Sequence, residues 1–154
     1  MDIQGYKFSF GSKIDAERDG NGQILTWAPK EKYYKDDRPL HASGSGPFAT
    51  LSLGDVPDEI GVYAVLRNAQ DVMFVGATKD SFAKRWGKAA GFTSISPSAC
   101  FKGGEPTFCR VNHSILVELQ SGKQMSLWIF PTQDPVSIKK GIIGAKLPPW
   151  NVNY

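Results

Sequence analysis

The fold is decided by residues 61–85, which read Gly-Val-Tyr-Ala-Val-Leu-Arg-Asn-Ala-Gln-Asp-Val-Met-Phe-Val-Gly-Ala-Thr-Lys-Asp-Ser-Phe-Ala-Lys-Arg. Residues 62–66 and 72–75 are short apolar runs rich in β-branched and aromatic side chains, and residues 68–71 between them favour a turn. This pattern predicts a β-hairpin at the centre of the protein.

The register of the hairpin follows from its loop. With residues 68–71 in the loop, the alternation of side chains along the strands makes Tyr63 and Phe74 diagonal neighbours on one face. The predicted cross-strand pairs are Arg67 with Val72, Val65 with Phe74, and Tyr63 with Gly76.

A helix is predicted directly after the second strand. Thr78, Asp80 and Ser81 offer side-chain oxygens for its N-cap. Arg85 lies at the flank of this helix that faces the sheet edge, so the hairpin and the helix bring Tyr63 and an arginine to a common surface. The apolar stripe of the helix consists of Phe82, Trp86 and Ala90, at helical spacing.

The composition is that of an ordinary globular domain. The 154 residues include 41% hydrophobic and 21% charged side chains, which favours one domain with a substantial core. No apolar run is long enough for a transmembrane helix, and the first residues lack the basic and apolar regions of a signal peptide. We therefore expect a cytoplasmic protein that makes no membrane contact.

The N-terminal third is less regular than the central hairpin. Residues 6–10 alternate as a half-buried strand would, and residues 24–27 form a second short apolar run after a turn. Residues 29–47 are rich in charge, glycine and proline without an apolar period, which predicts a loop. We expect residues 1–54 to form a β and loop extension packed on the core.

The remaining pattern predicts an α+β fold for a core domain of residues 55–154. Helical spacing covers residues 107–119, a strand follows at 125–130, and a last helix begins near Ser137 and ends before Pro148. With the hairpin and its helix, the order is ββ-α-α-β-α. Such an order predicts a small, mainly antiparallel sheet flanked by helices.

Several stretches resemble the GIY-YIG nuclease family. Gly61-Val62-Tyr63 resembles its first signature, and Phe74-Val75-Gly76 resembles the second with phenylalanine in a tyrosine position. Arg85 stands where the helix arginine of the family is expected, and the similarity to small stand-alone bacterial members covers about residues 55–151. The downstream matches are Ile95-Ser96-Pro97, Cys100, Gly103-Gly104, Thr107, Cys109-Arg110, Asn112, Leu127-Trp128 and Pro148-Pro149-Trp150-Asn151.

The resemblance implies an endonuclease that hydrolyses double-stranded DNA with one divalent cation, Mg²⁺ or Mn²⁺, bound by a glutamate on the last helix. In that scheme Tyr63 is the general base or orients the attacking water, Arg85 stabilises charge on the phosphate, and Asn151 braces the site. The scheme is chemically coherent because a guanidinium matches phosphate oxygens and a hard cation neutralises the leaving oxygen.

Three positions depart from the family pattern. The glutamate is expected near Lys139, and an ammonium group cannot ligate a metal, so the sequence supplies no metal ligand there. Phe74 lacks the second signature hydroxyl. Ala89, predicted one helical turn after Arg85, occupies a position where some members carry histidine or tyrosine. Glu105 and Glu118 are possible substitute carboxylates, although Glu118 lies in the middle of a predicted helix.

Positive charge is concentrated after the hairpin in a chain of net charge +3. Cations outnumber carboxylates between residues 79 and 110, and aromatic residues are interleaved with them. This pattern predicts a basic rim that contacts DNA phosphates, with Lys84 and Lys88 one helical turn apart, while a solvated helix face explains the charge equally well. The predicted DNA-binding residues are Lys79, Lys84, Lys88, Lys102 and Arg110.

Two functions stay open at this point. The first is a metal-dependent DNA endonuclease in which Tyr63, Arg85 and Asn151 act with a metal ligand away from position 139. The second is a catalytically inactive pseudo-nuclease that binds DNA or serves as an interaction module. Both functions use the same scaffold residues, so the fold alone does not choose between them. A carboxylate beside Tyr63 and Arg85 would favour the metal-dependent endonuclease.

Overall fold

Seven strands and five helices occur in the described part of the chain, which is residues 1–89 and 91–152 of a computed structural model. The strands are β1 (Asp2–Ile3), β2 (Tyr6–Lys7), β3 (Ser9–Ala16), β4 (Leu51–Ser52), β5 (Gly61–Arg67), β6 (Asp71–Thr78) and β7 (Met125–Pro131). The helices are α1 (Pro29–Lys32), α2 (Phe82–Trp86), α3 (Pro97–Cys100), α4 (Pro106–Gln120) and α5 (Pro135–Ala145).

The central element is a five-stranded sheet in the order β4-β3-β7-β5-β6, and every neighbouring pair is antiparallel. The α+β prediction is therefore confirmed. Residues 1–54 contribute β3 and β4 to the same sheet as the hairpin, and β1 and β2 form a separate two-stranded sheet. None of the described helices combines the length and apolarity needed to cross a bilayer.

The central hairpin has the predicted register at the end that carries Tyr63 and Gly76 and a different register near its loop. Tyr63 pairs with Gly76 as predicted. Arg67 pairs with Asp71 instead of Val72, because the loop has three residues and a bulge absorbs the difference. The Arg67 guanidinium lies 3.2 Å from the Asp71 carboxylate and 3.1 Å from that of Glu118, and these ion pairs favour the observed register.

The sheet separates two apolar layers. One face carries Tyr63 and Phe74 and is covered by α2 and α4. The other face carries Val62 and Val75 and is covered by α5 through Ile142. The strand alternation of β5 and β6 therefore decides which side chains face which helices, and β6 forms one outer edge of the sheet.

The loop at residues 29–47 contains the single turn of α1 and lies over α3 and α4. The Lys102 backbone N–H donates to Pro39 O at 2.8 Å, and His113 Nδ1 lies 2.8 Å from Pro47 O. His41 Nε2 contacts the carbonyl oxygen of Ala99. The loop is thus fixed by polar contacts that a local sequence pattern does not reveal.

Replacing Asn112 with alanine should lower the free energy of unfolding by about 3 kcal/mol. The Asn112 side chain is fully buried, where its Oδ1 accepts from Ala49 N and its Nδ2 donates to Ala49 O and Phe92 O at 2.9 to 3.1 Å. The substitution leaves these buried backbone groups without partners. Urea denaturation measures the loss, and Gln120→Ala, at an exposed position of the same helix, is the control. Equal stability of the two variants would contradict this role.

Candidate functional site

Tyr63 lies in an aromatic cluster beside the outer edge of the sheet. Its ring centroid is 5.6 Å from that of Trp86, 5.8 Å from that of Phe92 and 6.3 Å from that of Phe74. The ring lies against Gly76, and a Cβ on this glycine would overlap the ring and the hydroxyl of Tyr63. Glycine at position 76 thus lets the tyrosine reach the backbone of the edge strand.

The Tyr63 hydroxyl is protonated at neutral pH. Burial raises the pKa of Tyr63, the positive charge of Arg85 offsets part of that increase, and the carboxylate of Glu105 adds to it. A protonated phenol donates a hydrogen bond but does not accept a proton from water. Of the two roles that the resemblance gives Tyr63, this favours orienting a ligand over acting as the general base.

Arg85 lies near the end of α2, one turn after the N-cap. The Ser81 side chain caps this helix as predicted, because its Oγ accepts from Lys84 N at 3.1 Å. Arg85 is half-buried, and its guanidinium carbon lies 5.6 Å from the ring centroid of Phe108. Among the described residues, no carboxylate forms an ion pair with it. A cation placed over an aromatic ring without a counter-ion is available to an anionic ligand.

Lys139 brings a second cation to the same region. It is half-buried on α5, which packs against the sheet through Ile138 and Ile142. Burial lowers the pKa of Lys139, and the positive charge of Arg85 lowers it further. Within the described chain, Lys139 also has no carboxylate partner. The position where the resemblance expects a glutamate therefore holds a half-buried ammonium group.

Asn151 lies at the edge of β6, and its side-chain amide forms hydrogen bonds with the backbone of that strand. Its Oδ1 accepts from Val75 N and its Nδ2 donates to Val75 O, both at 2.9 Å. The backbone N–H of Trp150 donates to Met73 O at 2.9 Å. Residues 150 and 151 thus lie along the outer side of β6, and the Asn151 amide is held against the backbone of this edge strand.

The other departures from the family pattern are structural. Phe74 is a buried core ring that packs against Phe92 at 6.1 Å between centroids. The sequence predicts that Ala89 lies one helical turn after Arg85, and this is wrong, because α2 ends at Trp86. Ala89 instead adopts φ +58° in the turn that follows the helix. Ala90, predicted on the stripe of this helix, lies outside the described residues.

The predicted DNA-binding residues do not form one uniform group. Lys79, Lys84 and Lys88 are exposed around α2, close in sequence to Arg85, but Lys88 follows the helix and does not stack on Lys84 as predicted. Lys102 is exposed in the turn after α3. Arg110 is half-buried, and its Nε donates to Trp150 O at 3.3 Å, so it supports the edge of β6.

The donor set at this edge does not fit Mg²⁺ or Mn²⁺. These cations require several oxygen ligands, mainly carboxylates, whereas Arg85 of α2 and Lys139 of α5 carry positive charges. No group of three His, Cys, Asp or Glu residues that could hold a metal occurs in the described part of the chain. Glu118 is paired with Arg67, and the Glu105 carboxylate accepts from Thr107 N at 3.2 Å as the N-cap of α4.

A groove of about 440 Å³ lies elsewhere on the molecule. It is lined by residues 1–4, 70–73 and 146–149 together with Arg67 and Ile142, and it includes neither Tyr63 nor Arg85. No protein-family model, curated protein or solved structure matches the chain. The function is therefore argued from the chemistry at the edge of β6.

Proposed function

We propose that this protein binds double-stranded DNA through backbone phosphates on a GIY-YIG-like scaffold and does not hydrolyse it with a metal ion. The observation that supports this proposal is that the half-buried cations Arg85 and Lys139 have no carboxylate partner among the described residues, which also contain no carboxylate donor set for a metal. A phosphate group is complementary to such unpaired cations, whereas a divalent cation is repelled by them.

The neighbouring surface supports the same ligand. Lys79, Lys84 and Lys88 are exposed on the segment that carries Arg85, and none forms an ion pair among the described residues. Mobile lysines that surround a fixed guanidinium are typical of surfaces that follow a phosphate backbone. Contacts of this kind position DNA and carry little sequence information.

Hydrolysis lacks several components at this edge. Tyr63 remains protonated, the Asn151 amide is bonded to Val75, and the described residues contain no group of three His, Cys, Asp or Glu side chains that could hold a metal. Phosphodiester hydrolysis requires a deprotonated nucleophile and charge neutralisation on the leaving oxygen. Two cations supply part of the neutralisation but do not activate the nucleophile.

A second candidate function, a metal-dependent endonuclease, is favoured by one observation. The charges of both Arg85 and Glu105 act on the pKa of Tyr63, so a carboxylate does lie within electrostatic reach of the hydroxyl. In that case Glu105 would bind Mg²⁺ or Mn²⁺ after release from its capping bond to Thr107. The experiment described next separates the two candidates.

We expect the protein to bind duplex DNA with a steep salt dependence and to leave supercoiled plasmid intact in Mg²⁺ or Mn²⁺. Fluorescence anisotropy across a salt series measures binding, and Lys84→Ala combined with Lys88→Ala should lower the salt slope by up to about 2 units. Lys13→Ala combined with Lys123→Ala removes the same charge at exposed positions outside the α2 region and is the control.

Two outcomes would contradict the proposal. Absence of DNA binding at low salt would exclude the DNA-binding function. Plasmid nicking that requires Mn²⁺ and is lost in Tyr63→Phe or Glu105→Gln would establish the endonuclease instead.

A further inference from the structure

The two outer strands of the five-stranded sheet differ in how much edge they offer. β4 forms one edge and contains only Leu51 and Ser52, so it presents little backbone for pairing. β6 forms the other edge and has 8 residues, with no charge and no proline from 72 to 78. Long uncharged edge strands favour pairing with another chain unless a further segment covers them. The edge of β6 is therefore the one that needs a cover.

The hydrogen bonds of β6 show which backbone groups face outward. The N–H and C=O of Val75 both bond to the side chain of Asn151, and the carbonyl of Met73 accepts from Trp150 N. In an antiparallel pair a residue turns both backbone groups to the same side, so those of Val75 belong to the outer edge and not to β5. The orientation recurs at every second residue, and Ala77 therefore also turns its N–H and C=O outward.

The side chain of Asn151 takes the place of a neighbouring strand. Its amide offers one acceptor and one donor, as a peptide unit does, and both contacts with Val75 are 2.9 Å long, a normal length for bonds between strands. The segment is anchored by α4, because Arg110 Nε donates to Trp150 O at 3.3 Å. Trp150 also packs against the apolar core. Residues 150 and 151 thus cover the middle of the β6 edge.

We propose that residues 150 and 151 act as a substitute strand that closes the outer edge of β6, and that this edge, once open, pairs with β6 of a second copy of the chain. A second copy fits because antiparallel pairing of two identical strands around Val75 joins the N–H of each copy to the carbonyl of the other. The strands meet without repulsion, since no charged residue lies between 72 and 78. This association of the chain with itself is independent of DNA binding.

The first measurement is self-association, by analytical ultracentrifugation across a concentration series. Asn151→Ala should raise the association constant about tenfold above that of the wild type, because the backbone groups of Val75 regain partners only in the dimer. Asn112→Ala is the matched control. The Asn112 amide also bonds to both backbone groups of one residue, Ala49, but in the interior and not at a sheet edge. This variant should lose stability and keep the wild-type association constant.

A second substitution locates the association on β6. Ala77→Pro removes an N–H that points outward and no bond to β5, and proline is compatible with an edge strand at such a position. Combined with Asn151→Ala, it should return the association constant to within about threefold of the wild-type value. Association that persists unchanged in the double variant would show that the two copies meet elsewhere and would overturn the proposal.

Hydrogen exchange of the Val75 amide gives an independent readout. In the wild type this amide should be protected at every protein concentration, because Asn151 accepts its hydrogen bond. In Asn151→Ala it should exchange rapidly in dilute solution and become protected as the concentration rises, whereas a purely local loss of structure does not depend on concentration. Exchange of Val75 in Asn151→Ala that is independent of concentration, or equal self-association of Asn151→Ala and Asn112→Ala, would contradict the proposal.

Discussion

Replacing Gly76 with alanine should lower the free energy of unfolding by about 3 kcal/mol, although the change adds a single methyl group. The added Cβ would overlap the ring and hydroxyl of Tyr63, which is 3% exposed. The tyrosine has little room to move, because the rings of Trp86 and Phe92 pack against it. The backbone at Gly76 does not have a positive φ. The loss of stability in Gly76→Ala therefore reports the steric conflict with Tyr63 and not backbone strain.

Urea denaturation measures this loss, and two further variants show its origin. Gly141→Ala places a Cβ in open space on α5 and should keep or raise stability by up to about 1 kcal/mol, through helix propensity. Combining Gly76→Ala with Tyr63→Leu should cost less than the sum of the two single changes, because the smaller side chain relieves the conflict. A loss below about 1 kcal/mol for Gly76→Ala would show that the aromatic cluster adapts.

The pairing that places Tyr63 against Gly76 could be predicted from the sequence because strand alternation is a local property. Val65 pairs with Phe74 for the same reason. The bulge between Val65 and Leu66 could not be predicted, because no local residue pattern distinguishes a three-residue loop with a bulge from the four-residue loop of the predicted register. Local pattern therefore fixes the faces of the hairpin, and tertiary contacts adjust its register near the loop.

The end of α2 illustrates the same limit. Apolar residues at helical spacing predict a helix that continues past Trp86, yet the helix ends there. The chain then turns back so that Phe92 stacks on Trp86 at 4.4 Å, and Phe92 N donates to Arg85 O at 3.2 Å. Phe92, which follows the helix by six residues, packs where a continued helix would place its next turn. Apolar residues at helical spacing do not reveal such a contact.

The candidate site was predictable in part. The resemblance names Tyr63, Arg85 and Asn151. In the structure Tyr63 lies against Gly76 and Asn151 bonds to Val75 of β6, while Arg85 lies on α2 with its guanidinium near the Phe108 ring. The partial burial of Lys139 was not predictable, because it depends on how α5 packs on the sheet through Ile138 and Ile142. The sequence identifies Lys139 as a missing ligand, and the structure shows it as a second cation.

Replacing Lys139 with glutamate should reduce DNA affinity in EDTA about 100-fold, which is more than the loss in Lys139→Gln. The substitution exchanges a positive charge for a negative one on the proposed DNA-binding surface, so repulsion of the DNA phosphates adds to the lost attraction. Folding should not suffer, because a carboxylate next to Arg85 replaces a repulsive pair with an attractive one. Urea denaturation should therefore show equal or higher stability than the wild type.

Mn²⁺ should restore part of the DNA affinity of Lys139→Glu and leave that of the wild type unchanged, because the variant alone offers an oxygen ligand at this position. Any plasmid nicking should be weak, since Phe74 and Ala89 still lack polar groups and Arg85 competes for the new carboxylate. Lys140→Glu makes the same charge change at an exposed position and should respond little to Mn²⁺. Wild-type affinity of Lys139→Glu in EDTA would place the phosphate elsewhere on the basic surface, away from α5.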